Sequence, residues 1–423
     1  MHWVKNGTRI SHEGDAMTDH TRREFLVQSA GALSAISLLP HSILAAPRRR
    51  GQPRKVGIIG VGRQGRAIIA ELQKIDAVQV GVVCDVIPAR VASAIERAPG
   101  AEGFADHRAL LERADIEAVI VATPTHLHRD IVLEALSAGR HVYCESPLAS
   151  TVEDCQAIAT AAAGSSGICH VGFQGRSNPL YKRTRTLVRA GSLRDIISLY
   201  AQYHHKTSWR FPGSTPELER AANWRLDPEV TTGLAGEVGA QQFDVMHWLR
   251  NSYPVSVDGV GSSRHHKDDR TVHDTIEARL RWEDGVALDY RASLGTSFGR
   301  QHEILHGSNG TVRLAWSNGV LFREADAPTE GWEVYANRQQ FHSQEGVALV
   351  ADATRLAAQG RLQEGIGLEH PSLYYALADF VRSFLEGADV ACTAEEGMRA
   401  TTVGILTYRA IMEGVSVEIP AFG

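Results

Sequence analysis

Three glycines, Gly60, Gly62 and Gly65, stand at the spacing G-x-G-x-x-G directly after the apolar run Val56 to Ile59 and at the mouth of a helical stretch. Lacking side chains, they let the loop, with Arg63 and Gln64 inside it, and the helix N-terminus come close to a pyrophosphate. Asp85 follows Gly65 by twenty residues at the end of the next apolar run. A carboxylate there accepts hydrogen bonds from an adenosine ribose and repels a 2′-phosphate, so the pairing predicts a dinucleotide site that prefers NAD to NADP.

Further polar groups recur at meaningful spacings. Glu237, Gln241 and Asp244 fall at i, i+4 and i+7, while Val238, Phe243 and Met246 lie off that face. A polar stripe on an otherwise apolar helix lines solvent or a ligand. In the strand-like "AQYHHKTSW", Tyr203 and His205 share one face, His204 and Lys206 the other, and one of the two pairs is expected in the pocket. "ATPTHLH" ends a buried strand at Thr123 and Pro124, on the edge where ligands bind in parallel sheets; His126 and His128 either face that ligand or cap the next helix. "RHHKDDR" at 264 to 270 is charged throughout and reads as a solvated loop rather than a metal site.

The elements that position these groups follow from the pattern. Continuous apolar strands alternate with helices up to about residue 175, which predicts an N-terminal Rossmann domain over 55–175 with a doubly wound parallel sheet. From about Asp195 the strands alternate apolar and polar, and Asp284-Gly285, Asn309-Gly310 and Asn318-Gly319 mark tight turns. This predicts an α+β domain over 176–423 with a large, mostly antiparallel sheet. It closes with two helices, one striped by Leu373, Leu377, Phe380, Val381 and Phe384, the other opening on a Thr393/Glu396 capping box.

Composition narrows the partners. With 44 Lys plus Arg against 49 Asp plus Glu and no long basic block in the body, nucleic acid is not expected. Five cysteines without a C-x-x-C pair argue against a disulfide framework or a zinc site. Near the N-terminus, Arg22 and Arg23 precede a moderately apolar segment ending in small residues, the order of a twin-arginine export signal over 1–46, with Met17 expected as the true start. Its apolar run is shorter than the roughly 20 residues a membrane span needs. A basic linker, 47–54, follows. The expected location is periplasmic or in the cell envelope, reached through the twin-arginine machinery, with NAD bound before export and kept.

"GIIGVGRQG", "VCDV", "VIVATPTHLH", "AGRHVYCESPLA", "VGFQGRSNP" and "NWRLDPEVTTGLAGEVGAQQFDVMHWL" follow one another as do the landmarks of the glucose-fructose oxidoreductase, inositol dehydrogenase and MocA family, which the chain resembles over roughly 54 to 420. The resemblance implies hydride transfer between NAD(P) and a hydroxyl of a sugar, sugar derivative or cyclitol, and a homo-oligomer. It implies that Gly60 to Gly65 hold the pyrophosphate, Asp85 the ribose, and Thr123, Pro124 and His128 the length of the cofactor. Glu145 and Ser146 would stand near the nicotinamide, with Gln174 on the other flank.

Two positions depart from the family pattern. Its Glu-Lys-Pro is here Glu145-Ser146-Pro147, and a motif that carries Asp, Gly, His and Asp holds Glu237, Gly239, Gln241 and Asp244. Serine and glutamine exchange hydrogen bonds but hold no proton near neutral pH. A replacement base is expected among Asp244, Glu237 and the segment Tyr203, His204, His205 and Lys206. The alternatives are a redox-neutral, NAD-retaining glycoside-cleaving enzyme and a cofactor-bound protein without catalysis.

Overall fold

Runs such as Val56–Ile59 and Ala118–Val121 are buried on both faces, as strands covered by helices on either side must be. In the structure, a computed structural model that describes residues 52–328, 346–350, 359 and 367–422, they belong to one parallel sheet. Its strands are β1 (Arg54–Ile59), β2 (Val78–Cys84), β3 (Glu102–Phe104), β4 (Ala118–Val121), β5 (His141–Cys144) and β6 (Cys169–Val171), in the order β3-β2-β1-β4-β5-β6. The helices between them are α1 (Arg63–Leu72), α2 (Pro88–Arg97), α3 (His107–Leu111), α4 (His128–Ser137) and α5 (Val152–Gly164). The strand order reverses between β1 and β4, so the glycine turn after β1 and the Thr123 segment after β4 flank one crevice. The export-signal segment 1–46 and linker residues 47–51 lie outside the described residues.

After α6 (Pro179–Arg189) the chain enters a second sheet. Its strands are β7 (Ile196–His204), β8 (Ser256–Ser262), β9 (Thr275–Arg281), β10 (Ala287–Ser293), β11 (Gln301–Gly307), β12 (Gly310–Leu314), β13 (Gly319–Arg323), β14 (Val347–Ala348) and β15 (Val417–Glu418). The order is β14-β13-β12-β11-β7-β10-β9-β8-β15, antiparallel except for the β7/β10 pair. The turns expected at Asp284-Gly285, Asn309-Gly310 and Asn318-Gly319 join adjacent antiparallel strands. Along β9, Ile276, Ala278 and Leu280 point inward while Thr275, Glu277 and Arg279 point out, so one face is covered. Helices α7 (Pro216–Ala222) and α8 (Ala240–Arg250) lie in the connection from β7 to β8, and a single π-helical turn, Ala235–Gly239, leads into α8.

The last two helices, α9 (Ser372–Glu386) and α10 (Ala394–Glu413), return to the first sheet. Leu373, Ala376, Leu377, Phe380 and Val381 of α9 share a core with Val56, Ile58, Ile68, Ile69 and Ile120. Helix α10 opens on the expected Thr393/Glu396 capping box. Its Ala394 and Ala400 join the core of β4 and β5, whereas Val403, Ala410 and Ile411 join that of the second sheet. The five cysteines are buried and unpaired.

Candidate active site

The turn after β1 has the shape its glycines allow. Gly60 has φ +89°, and a Cβ there would lie 2.6 Å from the Ala122 main chain; one on Gly65 would lie 2.1 Å from the Gly60 carbonyl oxygen. Gly62 differs, because its Cβ would meet only an Arg90 nitrogen, at 3.8 Å. That open side, beside a helix whose N-terminus has no side-chain cap, is where a pyrophosphate fits. Asp85 is 8% exposed and accepts the N–H groups of Val61 (3.1 Å) and Ile87 (3.0 Å), latching the glycine turn to the end of β2. Each carboxylate oxygen retains a lone pair for a ribose hydroxyl. Arg90 stands 3.7 Å from the same carboxylate.

Across the crevice, the Thr123 hydroxyl is buried without a partner, as expected of a group reserved for a ligand, and Pro124 follows it in extended backbone. His128 departs from its expected place along the cofactor. Its Nδ1 lies 3.1 Å from the Pro147 carbonyl and its Nε2 3.0 Å from that of Thr123, so the neutral ring donates to one of the two and sits enclosed between the end of β4 and the 145–147 stretch. His126 turns instead toward Trp224, with ring centroids 5.9 Å apart.

Glu145 is buried, and Gln64 of the glycine loop donates to it at 2.7 Å. Burial raises its carboxyl from 4.5 to about 7, against the hydrogen bonds from Gln64 and the Ser146 N–H. Such a group keeps its proton in the folded chain where the unfolded chain has released it, so stability falls as pH rises from about 4.5 to about 7. Glu145→Gln is expected to remove about 3 kcal/mol of that decline in denaturant midpoints followed from about pH 5 to 8. The share of Glu303, also raised to about 7 by burial, stays. A slope as steep as the wild type would refute the assignment.

The two family departures touch. Gln241 Nε2 donates to Ser146 Oγ at 2.7 Å and to the Gly172 carbonyl at 2.9 Å. Its Oε1 is buried without a partner. One turn earlier, Glu237 accepts from the Thr232 hydroxyl (2.9 Å) and the Thr125 hydroxyl (3.2 Å), with Arg225 at 3.5 Å. Burial raises its carboxyl above the ordinary range, and Arg225 opposes the rise. Arg225 in turn stacks on Trp224 (4.4 Å) and faces Trp209 (5.7 Å), an aromatic wall that the spacing of "TSWRFP" and "NWRL" did not single out.

Glu237, Gln241 and Asp244 do share one side, but that side is a buried seam against residues 125, 146, 172 and 176 rather than a solvent-lined stripe. Asp244 is corrected as a base. Arg176, in the turn that Gln174 opens, grips it through Nε (2.9 and 3.1 Å) and Nη2 (2.8 Å), and both side chains are 1% exposed. A carboxylate so paired and so buried is closed to a substrate. Gln174 itself is half-buried.

On β7, Tyr203 faces the inner side and packs against the core, whereas His205 lies exposed just past the strand end, their rings 6.3 Å apart. Burial raises the Tyr203 phenol, and Arg63 of the glycine loop and Arg225 act on it in the opposite sense. Lys206 lies past the strand end, exposed, with its main-chain N–H on Ser297; it is not gathered with Glu237 or Gln241. Among the described residues no group of side chains has the makings of a metal site.

A Rossmann sheet with an open glycine cradle, joined to a second sheet domain whose Glu237 meets Thr125 just past β4, is the frame of a dinucleotide-dependent protein. The chain belongs to the oxidoreductase family described by an NAD-binding Rossmann fold, matched at 54–173, and a C-terminal alpha/beta domain, matched at 185–419. It is 36% identical to the inositol 2-dehydrogenase of Pseudarthrobacter chlorophenolicus over 64% of this chain and 76% of that protein. It is 27% identical to the inositol 2-dehydrogenase of Salmonella typhimurium over 47% of this chain, and there it spans about half of the relative, 54%. In three dimensions it is similar to levoglucosan dehydrogenase in complex with NADH and L-sorbose, at a TM-score of 0.70 and 20% identity, over 88% of this chain and 100% of that one.

Proposed function

We propose that the protein is an exported oxidoreductase that uses tightly held NAD to move a hydride to or from a hydroxyl or ketone of a sugar, sugar derivative or cyclitol. The observation that carries this reading is Glu237, a buried carboxylate without a bidentate partner, set beside Gln241 and Ser146. The names of the inositol and levoglucosan dehydrogenases support it.

Bound in the cradle, a nicotinamide dinucleotide supplies the hydride chemistry. Glu237 takes the hydroxyl proton on a carboxylate oxygen whose proton affinity burial has raised. Thr125, Thr232 and Arg225 hold that carboxylate in place. Gln241, its amide nitrogen committed to Ser146 and Gly172, offers Oε1 to a substrate hydroxyl. Ser146 accepts from Gln241 and keeps its own hydrogen to donate. Asp85 supports NAD over NADP, since a 2′-phosphate would meet a carboxylate before it met Arg90.

Arg22 and Arg23 support export, and the open outer face of the second sheet, with Val260 66% exposed on it, supports a homo-oligomer. The test is to purify the protein, release and identify bound nucleotide, then follow bound NADH and aglycone with free sugars, cyclitols and aryl glycosides. NAD released from the protein, and NADH accumulating with a free sugar or cyclitol, is the expected result. Aglycone release without net NADH, or no response across the panel, overturns it.

A further inference from the structure

At the end of the second sheet, between the Ser297–Gln301 loop and the Ala315–Asn318 turn, lies a cleft of about 690 Å³. One residue on each wall has left-handed backbone, Arg300 at φ 48° and Trp316 at φ 57°. Side chains other than glycine adopt this region at a cost, and it persists only where the surroundings enforce it. Here buried polar groups do so. Gln202, 6% exposed, donates to the carbonyls of Phe298 (2.9 Å) and Arg300 (3.0 Å). On the other wall Asn178 donates to the Trp316 carbonyl at 2.7 Å, and the Tyr181 hydroxyl accepts the Trp316 N–H at 3.2 Å.

The chemistry of the cleft is one-sided. Arg300, Arg313, His204 and His205 line it, and among the described residues no carboxylate does. Neither guanidinium has an ion-pair partner among the described residues, whereas Arg176, Arg210, Arg225 and Arg270 all do. Tyr203 and Trp316 supply flat apolar faces. Gln242, the neighbour of Gln241 on α8, donates to the Gln202 carbonyl at 3.0 Å, which joins the strand that clamps the cleft to the helix that carries the active-site amide.

We infer that this cleft is a second subsite that binds an anionic group, carboxylate or phosphate, carried by the sugar whose hydroxyl reacts beside Glu237. The inference rests on the oxidoreductase reading above. Guanidinium forks match such oxygens in pairs, and donors already fixed by clamped loops lose little freedom on binding.

The test is calorimetric binding to the cofactor-loaded protein of D-glucuronate, D-glucose 6-phosphate, D-glucose and inorganic phosphate. One or both charged sugars are expected to bind at least roughly tenfold more tightly than glucose, as one charge-assisted hydrogen bond suffices for that. Which of them does so identifies the anion. Arg300→Gln with Arg313→Gln should abolish the advantage with nucleotide content and unfolding midpoint unchanged, and Arg313→Lys should keep part of it. Equal affinities for glucose and both charged sugars, an advantage that survives the double substitution, phosphate alone binding as tightly as the sugar phosphate, or no binding of either charged sugar would each overturn the subsite. A charged sugar that binds through these arginines without hydride transfer would instead overturn the oxidoreductase reading and leave the subsite standing.

Discussion

Glu237→Gln is expected to slow sugar oxidation roughly 10²- to 10⁴-fold while leaving nucleotide content unchanged, the range for loss of a positioned proton acceptor. The substitution is nearly isosteric: the amide oxygen still accepts from Thr232, and the amide nitrogen at the other position donates to the Thr125 hydroxyl, which can accept as well as donate. Stability should change little, because burial already disfavours the charge that is removed. The pH profile supplies a second readout. A carboxylate raised above its ordinary range serves as base only when ionised, so the wild-type oxidation rate is lost as pH falls through that raised value, and the variant lacks this limb. A loss of less than about tenfold, or an unchanged acid limb, would transfer the role to Tyr203, which Tyr203→Phe then tests.

Arg176→Met should destabilise the fold by about 3–5 kcal/mol, since it strands the Asp244 carboxylate in a place only 1% exposed. The guanidinium also pairs with Glu396, so one side chain joins the 174–176 turn, α8 and the first turn of α10. Asp244→Leu made together with Arg176→Met removes the buried charge as well, and it should recover most of the loss in denaturant unfolding. Asp244→Asn should cost stability yet leave turnover per folded molecule close to wild type, because Glu237 is untouched. A collapse in turnover with intact folding would restore Asp244 as the base.

The sequence announces its glycine cradle, the Asp85 strand end and the hairpin at Asp284-Gly285 because each is written within a few neighbouring residues. Pairings across the chain are not written there. Ser146 and Gln241 stand 95 positions apart, and each reads alone as the loss of a proton-holding group. Only folding reveals that they hydrogen-bond to each other. Asp244 looked like a base because its partner, Arg176, lies 68 positions away in a turn with no charge pattern of its own. Periodicity exposed the polar face of the 237–244 segment, but a stripe says which side is polar and not what covers it. The same limit applied to α9, whose apolar stripe was legible while its sheet was not.

That last helix bears on how the chain comes into being. Val56, Ile58 and Ile68, among the first folded residues to leave a ribosome, finish their core only with Leu377 and Phe380, some three hundred positions later. Domains generally fold in the order of synthesis, N-terminal first. Here the dinucleotide half keeps one apolar flank bare until almost the entire polypeptide has been made. A fragment cut after the first sheet is therefore expected to aggregate rather than to stand in for the domain.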